Sequence, residues 1–128
     1  MNAVVDVANR IGAARIILVD DDEAFLAMVS ALLTDEGYVV EAVADIRTAL
    51  DSAAKAAPDL ILLDLQMPHG DAEDFMAAYQ AFPKPHAAVI VISGATDARA
   101  RATAMGARSF VPKSFDITEL LALVSLHT

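Results

Sequence analysis

The stretch that most constrains the fold of this chain is Leu60–Pro68, which reads Leu-Ile-Leu-Leu-Asp-Leu-Gln-Met-Pro. Its four consecutive aliphatic residues predict a strand that is buried on both faces, as in a parallel sheet covered by helices. The strand is expected to end at Asp64, and the Met67-Pro68 pair then disfavours an immediate helix. Because ligands bind beyond the carboxyl ends of strands in open parallel sheets, Asp64 lies where chemistry is expected.

Segments with strand and helix patterns alternate along the rest of the chain. Strands are predicted at 15–19, 38–43, 60–64, 88–92 and 109–111. The first helix is marked by helical spacing of Phe25, Met28, Val29, Leu32 and Leu33 and by a stop at Gly37. Later helices are expected to begin at caps formed by Asp45, Asp71, Thr96 and Asp116.

Strict alternation of strands and helices predicts an α/β fold with a doubly wound, five-stranded parallel sheet and helices on both faces. Pro112 cannot donate a hydrogen bond to a sheet, so the fifth strand is expected at an edge. We expect residues 1–14 to form an N-terminal extension and residues 15–128 to form a single domain.

Composition and charge narrow the class of protein. The chain has 18 acidic and 9 basic residues, which disfavours direct contact with nucleic acid because phosphate backbones attract clustered Lys and Arg. It has no cysteine, which excludes disulfides and thiolate metal sites and fits a reducing compartment. No apolar run approaches the roughly 20 residues of a membrane span, and no signal peptide pattern is present. We therefore expect a soluble, cytoplasmic protein without direct membrane contact.

Polar residues that suit phosphoryl chemistry follow four of the predicted strands. They are Asp20 and Asp21 after the first, Asp64 after the third, Ser93 after the fourth and Lys113 after the fifth. Three carboxylates at one sheet edge repel one another unless a cation lies between them. An all-oxygen set favours a hard ion such as Mg²⁺. The constellation therefore offers a carboxylate nucleophile, a metal, a fixed ammonium and a hydroxyl donor.

Taken in order, these segments resemble the receiver domain of bacterial two-component response regulators. The resemblance covers about residues 15–126 and is carried by Val-Asp-Asp at 19–21, Leu-Leu-Asp-Leu-Gln-Met-Pro at 62–68, Ile-Ser-Gly at 92–94 and Phe-Val-Pro-Lys at 110–113. It implies a flavodoxin-like fold with strand order 2-1-3-4-5. It also implies that a histidine kinase or phosphotransfer protein phosphorylates Asp64 in a reaction that requires Mg²⁺ or Mn²⁺.

The resemblance implies a metal site built from four residues. Asp21 would bind the ion directly and Asp20 mainly through water. Asp64 and the backbone carbonyl of Gln66 would complete the protein ligands.

The resemblance also implies how phosphorylation is sensed. Ser93 and Lys113 would contact the phosphoryl oxygens, and Ser93 together with Phe110 would act as the switch. The change would reshape the face formed by the fourth helix, the fifth strand and the fifth helix. An output domain or effector protein outside this chain, or a second copy in a homodimer, would bind there. The domain would be no enzyme beyond assisting its own phosphorylation and dephosphorylation.

The chain departs from the usual family pattern at three places. Lys113 is followed by Ser114 where the family commonly has a proline after a cis bond. His69-Gly70-Asp71 stands where Asp-Gly is usual, and Gly94 stands where alanine is more usual. We expect Arg99, Arg101 and Arg108 to lie on a solvated face.

Two other functions are alternatives to phosphoacceptor signalling. Phosphatases of the haloacid-dehalogenase type need a second Asp two residues after the nucleophile, but Gln66 occupies that position and cannot act as a general acid. A receiver-like interaction module that works without phosphorylation remains the alternative.

Overall fold

The computed structural model describes residues 13–68 and 70–128. Of the N-terminal extension expected over residues 1–14, residues 1–12 lie outside the described residues. His69, in the loop after the third strand, also lies outside them.

Five strands and five helices alternate along the described chain. The strands are β1 (Arg15–Val19), β2 (Val39–Val43), β3 (Leu60–Asp64), β4 (Ala88–Ser93) and β5 (Ser109–Pro112). The helices are α1 (Glu23–Asp35), α2 (Ile46–Lys55), α3 (Asp71–Gln80), α4 (Ala98–Ala104) and α5 (Ile117–Leu126). All paired strands are parallel in the order β2-β1-β3-β4-β5, which confirms the predicted doubly wound α/β fold.

The central strand β3 is covered on both faces, as its aliphatic run predicts. Leu60 and Leu62 pack into a cluster with side chains of α1 and α5. Ile61 and Leu63 point the other way, into a cluster with side chains of α2, α3 and α4. All four side chains are completely buried. The strand that ends at Asp64 is therefore held rigidly between two apolar layers.

The predicted edge position of the fifth strand is confirmed. Pro112 lies opposite Ser93 in the ladder between β4 and β5. Beyond the proline, the N–H of Lys113 donates to the carbonyl of Ser93 at 3.0 Å. Because this bond resumes the ladder, Lys113 is fixed beside the carboxyl end of β4.

Helix caps agree with the sequence in part. The side chains of Asp45 and Asp116 accept hydrogen bonds from backbone N–H groups of the helices they precede, as predicted. The cap predicted at Asp71 is wrong, because Gly70 occupies the cap position in a left-handed conformation with φ of 80°. Asp71 is instead the first helical residue, where its charge complements the helix dipole.

The cap predicted at Thr96 is also wrong. Asp97 occupies the cap position of α4, and its side chain makes no capping hydrogen bond. The chain first closes a turn in which Ala98 N–H donates to Ala95 O, and this delays the start of the helix.

No helix in the described parts of the chain combines the length and the apolar character that crossing a bilayer requires.

Leu62→Ala is expected to lower the free energy of unfolding by about 2–5 kcal/mol, because truncation of a buried leucine leaves a cavity between packed layers. Leu126→Ala is the matched control, since Leu126 is 75% exposed and its truncation should cost less than about 0.5 kcal/mol. Urea denaturation followed by circular dichroism measures both values. Equal losses in the two variants would contradict the burial of β3.

Candidate functional site

The polar residues singled out in the sequence meet at one edge of the sheet. Asp20 and Asp21 directly follow β1, Asp64 ends β3, Ser93 ends β4, and Lys113 directly follows β5. The side chains of Asp20, Asp64 and Ser93 are each at most 2% exposed, whereas Asp21 is exposed. The site thus has a buried floor and an open rim.

Three carboxylates form an acidic cluster, here defined as Asp20, Asp21 and Asp64. One oxygen from each lies within 4.8 Å of the other two. Both oxygens of Asp64 are buried and accept no hydrogen bond of good geometry. Buried carboxylate oxygens without donors are costly unless a cation compensates them. The all-oxygen set therefore fits a hard divalent ion such as Mg²⁺.

The fixed positive charge of the site is Lys113. Its Nζ lies 2.9 Å from Asp20 Oδ2 and 3.6 Å from Asp64 Oδ2. Partial burial acts to lower the pKa of Lys113, but the contact with Asp20 and the charges of Asp64 and Asp20 outweigh it and raise that pKa. The ammonium is therefore charged at neutral pH. The peptide bond from Lys113 to Ser114 is trans, so the chain lacks the cis bond that is common in the resembled family.

An aromatic ring also contacts this lysine, a feature that the sequence did not reveal. The Nζ of Lys113 lies over the ring of Phe25, 4.4 Å from its centroid. Helical spacing assigned Phe25 only to the apolar face of the first helix. No local sequence signal could show that this helix faces the loop after β5.

The carboxyl group of Asp64 is electrostatically strained. Burial raises its pKa to about 6, and the neighbouring Asp20 carboxylate adds to this effect. The backbone N–H of Gln66 and the Lys113 ammonium act in the opposite direction. Asp64 is consequently ionised at neutral pH, yet a further positive charge beside it would be strongly favoured.

The loops after β3 and β4 touch each other through Gln66. Its side-chain oxygen Oε1 accepts a hydrogen bond from the N–H of Gly94 at 3.2 Å. A Cβ atom at position 94 would lie 3.3 Å from that oxygen, so glycine leaves the space the contact needs. The hydroxyl oxygen of Ser93 accepts a hydrogen bond from Ala95 N–H at 3.1 Å, which keeps this side chain inside the loop.

Phe110 lies in β5, on the flank of the site. Its half-buried ring packs against the core, and the guanidinium carbon of Arg99 lies 5.2 Å from its centroid.

The predicted solvated arginine face is wrong for one member. Arg101 of α4 makes two hydrogen bonds of 2.9 Å to Glu73 of α3, one to each carboxylate oxygen. This contact raises the pKa of Arg101. The arginine therefore ties two helices together, while Arg99 and Arg108 are exposed as expected.

Comparison with known proteins identifies the family. The family model described as the response regulator receiver domain matches residues 16–125 of the sequence. This chain belongs to that family. The chain is thus a receiver domain of the kind found in response regulators, and its acidic cluster could hold a metal ion.

Curated relatives agree with this assignment. The response regulator PleD of Caulobacter vibrioides is 36% identical over 115 residues, which is 88% of this chain and 25% of PleD. The transcriptional regulatory protein HprR of Escherichia coli is 30% identical over 110 residues, 86% of this chain and 49% of HprR. The transcriptional regulatory protein PdtaR of Mycobacterium tuberculosis is 32% identical over 116 residues, 88% of this chain and 56% of PdtaR. The chain thus spans between a quarter and just over half of these relatives.

Solved structures share the fold. The signal receiver domain of a response regulator from Bermanella marisrubri superposes with a TM-score of 0.81 at 28% identity, covering 90% of this chain and 98% of that one. The chemotaxis protein CheY4 of Vibrio cholerae gives a TM-score of 0.78 at 29% identity, covering 91% of this chain and all of that one.

In the absence of metal, Asp64→Asn is expected to raise the free energy of unfolding at pH 7 by roughly 1–3 kcal/mol, because asparagine keeps the shape without the buried charge. The folded-state pKa of about 6 lies above the unfolded value of 3.8. The folded protein therefore binds more protons between these values, and the wild type loses stability as the pH rises through this window.

The gain in free energy of unfolding from Asp64→Asn should accordingly reach its full size above about pH 6 and disappear below about pH 4. Urea denaturation in EDTA at several pH values measures it. Asp51→Asn, an exposed site on α2, is the control and should change little. A variant less stable than the wild type at pH 7 would refute the strain assigned to Asp64.

Proposed function

We propose that Asp64 accepts a phosphoryl group from the phosphohistidine of a histidine kinase or phosphotransfer protein in a reaction that depends on Mg²⁺ or Mn²⁺. The observation that carries this proposal is the buried Asp64 carboxylate, which lacks well-aligned hydrogen bonds and faces Lys113 and two further carboxylates. Such a group is a positioned nucleophile with a cation site beside it.

In the proposed transfer, an Asp64 oxygen attacks phosphorus and forms the new O–P bond. The P–N bond of the donor breaks, and its electron pair stays on the imidazole nitrogen. The rigid position of β3 aims the carboxylate, which lowers the entropic cost of reaching the reacting geometry. The Lys113 ammonium and the Ser93 hydroxyl then donate to the phosphoryl oxygens.

The metal ligands in this proposal are the acidic cluster and the backbone carbonyl of Gln66. Asp21, which is exposed, would bind the ion directly. Asp20, which is buried against Lys113, would contribute mainly through water. When bound, the ion supplies positive charge that offsets the negative charge of the transferred group.

We further propose that the receiver domain is a substrate of phosphotransfer and a switch, and no enzyme towards other molecules. The Ser93 hydroxyl, which accepts from Ala95 N–H, would donate its O–H to the phosphoryl group and draw the loop after β4 inward. The Phe110 ring would follow and reshape the face made by α4, β5 and α5. An output domain or effector outside this chain, or a second copy, would read that face.

Incubation with acetyl phosphate and Mg²⁺ is expected to add one phosphoryl group to the wild type, and EDTA should prevent it. Asp64→Asn should abolish the adduct because it removes the nucleophile. Asp51→Asn is the control, as it removes an exposed carboxylate outside the site and should react like the wild type. Intact mass spectrometry measures the adduct. An unmodified wild type would support the alternative of a phosphorylation-independent interaction module, and a modified Asp64→Asn would overturn the assignment of the nucleophile.

Mg²⁺ is expected to stabilise the unphosphorylated domain, because it relieves repulsion within the acidic cluster and binds the native state alone. At tenfold its dissociation constant the gain is about 1.4 kcal/mol, a rise of several degrees in Tm. Asp21→Ala should abolish this rise without disturbing the core, since Asp21 is exposed. Thermal melts with and without millimolar Mg²⁺ measure it, and an equal rise in both proteins would exclude Asp21 as a ligand.

A further inference from the structure

We infer that Phe25 is a positioning residue for Lys113. The face of its ring holds the Lys113 ammonium where it can contact a phosphoryl group on Asp64. The inference rests on the proposed function of Asp64. It starts from the distance of 4.4 Å between Lys113 Nζ and the ring centroid, which is within the range of a cation–π contact.

Phe25 is held in place through both its backbone and its ring. Phe25 lies in the first turn of α1, and its N–H donates to the capping carboxylate of Asp22 at 3.1 Å. Its ring meets Phe115 edge to face, with centroids 6.2 Å apart and planes at 69°. Phe115 is only two residues after Lys113 in the chain. The aromatic pair thus joins the start of α1 to the loop that carries the lysine.

Lys113 needs such support because its side chain is long, and the backbone bond to Ser93 does not fix the position of the ammonium. A lysine loses substantial rotamer freedom when its ammonium is fixed at one point. The following residue is Ser114, whose φ is not limited by a ring as that of proline would be. Side-chain contacts therefore have to hold the ammonium in place.

The contact with Asp20 alone cannot hold the ammonium throughout the reaction. Asp20 belongs to the acidic cluster, so its carboxylate is shared between Lys113 and any cation bound there. The ring of Phe25 carries no net charge and is no metal ligand. Its attraction for the ammonium persists while the carboxylates exchange partners.

Fluorination of the ring tests this inference with little change of shape. Site-specific replacement of Phe25 by 4-fluoro- and 3,4,5-trifluorophenylalanine withdraws electron density from the ring face and weakens a cation–π contact stepwise. The rate of phosphorylation by acetyl phosphate at saturating Mg²⁺ should fall stepwise, by about two- to tenfold for the trifluoro ring. Phe25→Leu should lose at least as much, and Phe25→Trp should retain the wild-type rate.

Phe75 provides the matched control. Its ring is completely buried in the other apolar layer, stacked on Tyr79, and trifluorination there should leave the rate unchanged. If the rate falls only with Phe25→Leu and stays flat across the fluorinated series, Phe25 is a packing residue and the inference is overturned.

A second measurement needs neither metal nor phosphate. The ε-carbon of Lys113 is bonded to Nζ, which lies over the ring, so we expect the ring current to shift the NMR signals of its protons upfield. The shift should vanish in Phe25→Leu, and its persistence there would refute the contact. A wild type that acetyl phosphate fails to modify, yet shows the shift, would overturn the proposed function while leaving the contact intact. The two failures are thereby distinguishable.

Discussion

The structure depends on one constraint, a carboxylate that ends the most buried strand of the sheet and has no well-aligned hydrogen bond. Apolar layers on both faces of β3 give Asp64 its fixed direction and also remove the water that would solvate its charge. The strand order β2-β1-β3-β4-β5 brings the Asp20 carboxylate and the compensating Lys113 ammonium to the same edge of the sheet as Asp64. Asp64 therefore sets both stability and reactivity. The unfavourable burial of its charge also favours the approach of a cation or an electrophile.

Most of the fold could be predicted because β1, β3 and β4 each contain at least four consecutive aliphatic residues, the pattern of strands buried in a parallel sheet. The runs at 15–19 and 60–64 both became strands with the predicted bounds. Errors arose where one residue decides a boundary. At the start of α3 the backbone of Gly70 turns left-handed and takes the cap position from Asp71. A glycine followed by an aspartate allows either residue to occupy the cap position. Which one does so depends on how the loop joins β3 to the helix.

The candidate site was predictable in its residues and less so in its contacts. The sheet topology alone places Asp64 and Lys113 at the same edge, because each lies at the carboxyl end of a parallel strand. The contact of Lys113 with Phe25 and that of Gln66 with Gly94 depend instead on segments that lie far apart in sequence and meet only after folding. Arg101 escaped prediction for the same reason, since its partner Glu73 lies on another helix. Each of these contacts is set by tertiary packing, which no periodicity encodes.

The hydrogen bond from Lys113 N–H to Ser93 O has a consequence for how the site can be observed. It is a ladder bond at the edge of the sheet, made by the residue that also supplies the ammonium. Exchange of this amide hydrogen with solvent deuterium requires that β5 separate from β4 at this point. The protection factor of the Lys113 amide therefore reports the fraction of molecules in which the hydrogen bond between Lys113 and Ser93 is intact. Local opening at the edge strand and disassembly of the site are, at this amide, the same event.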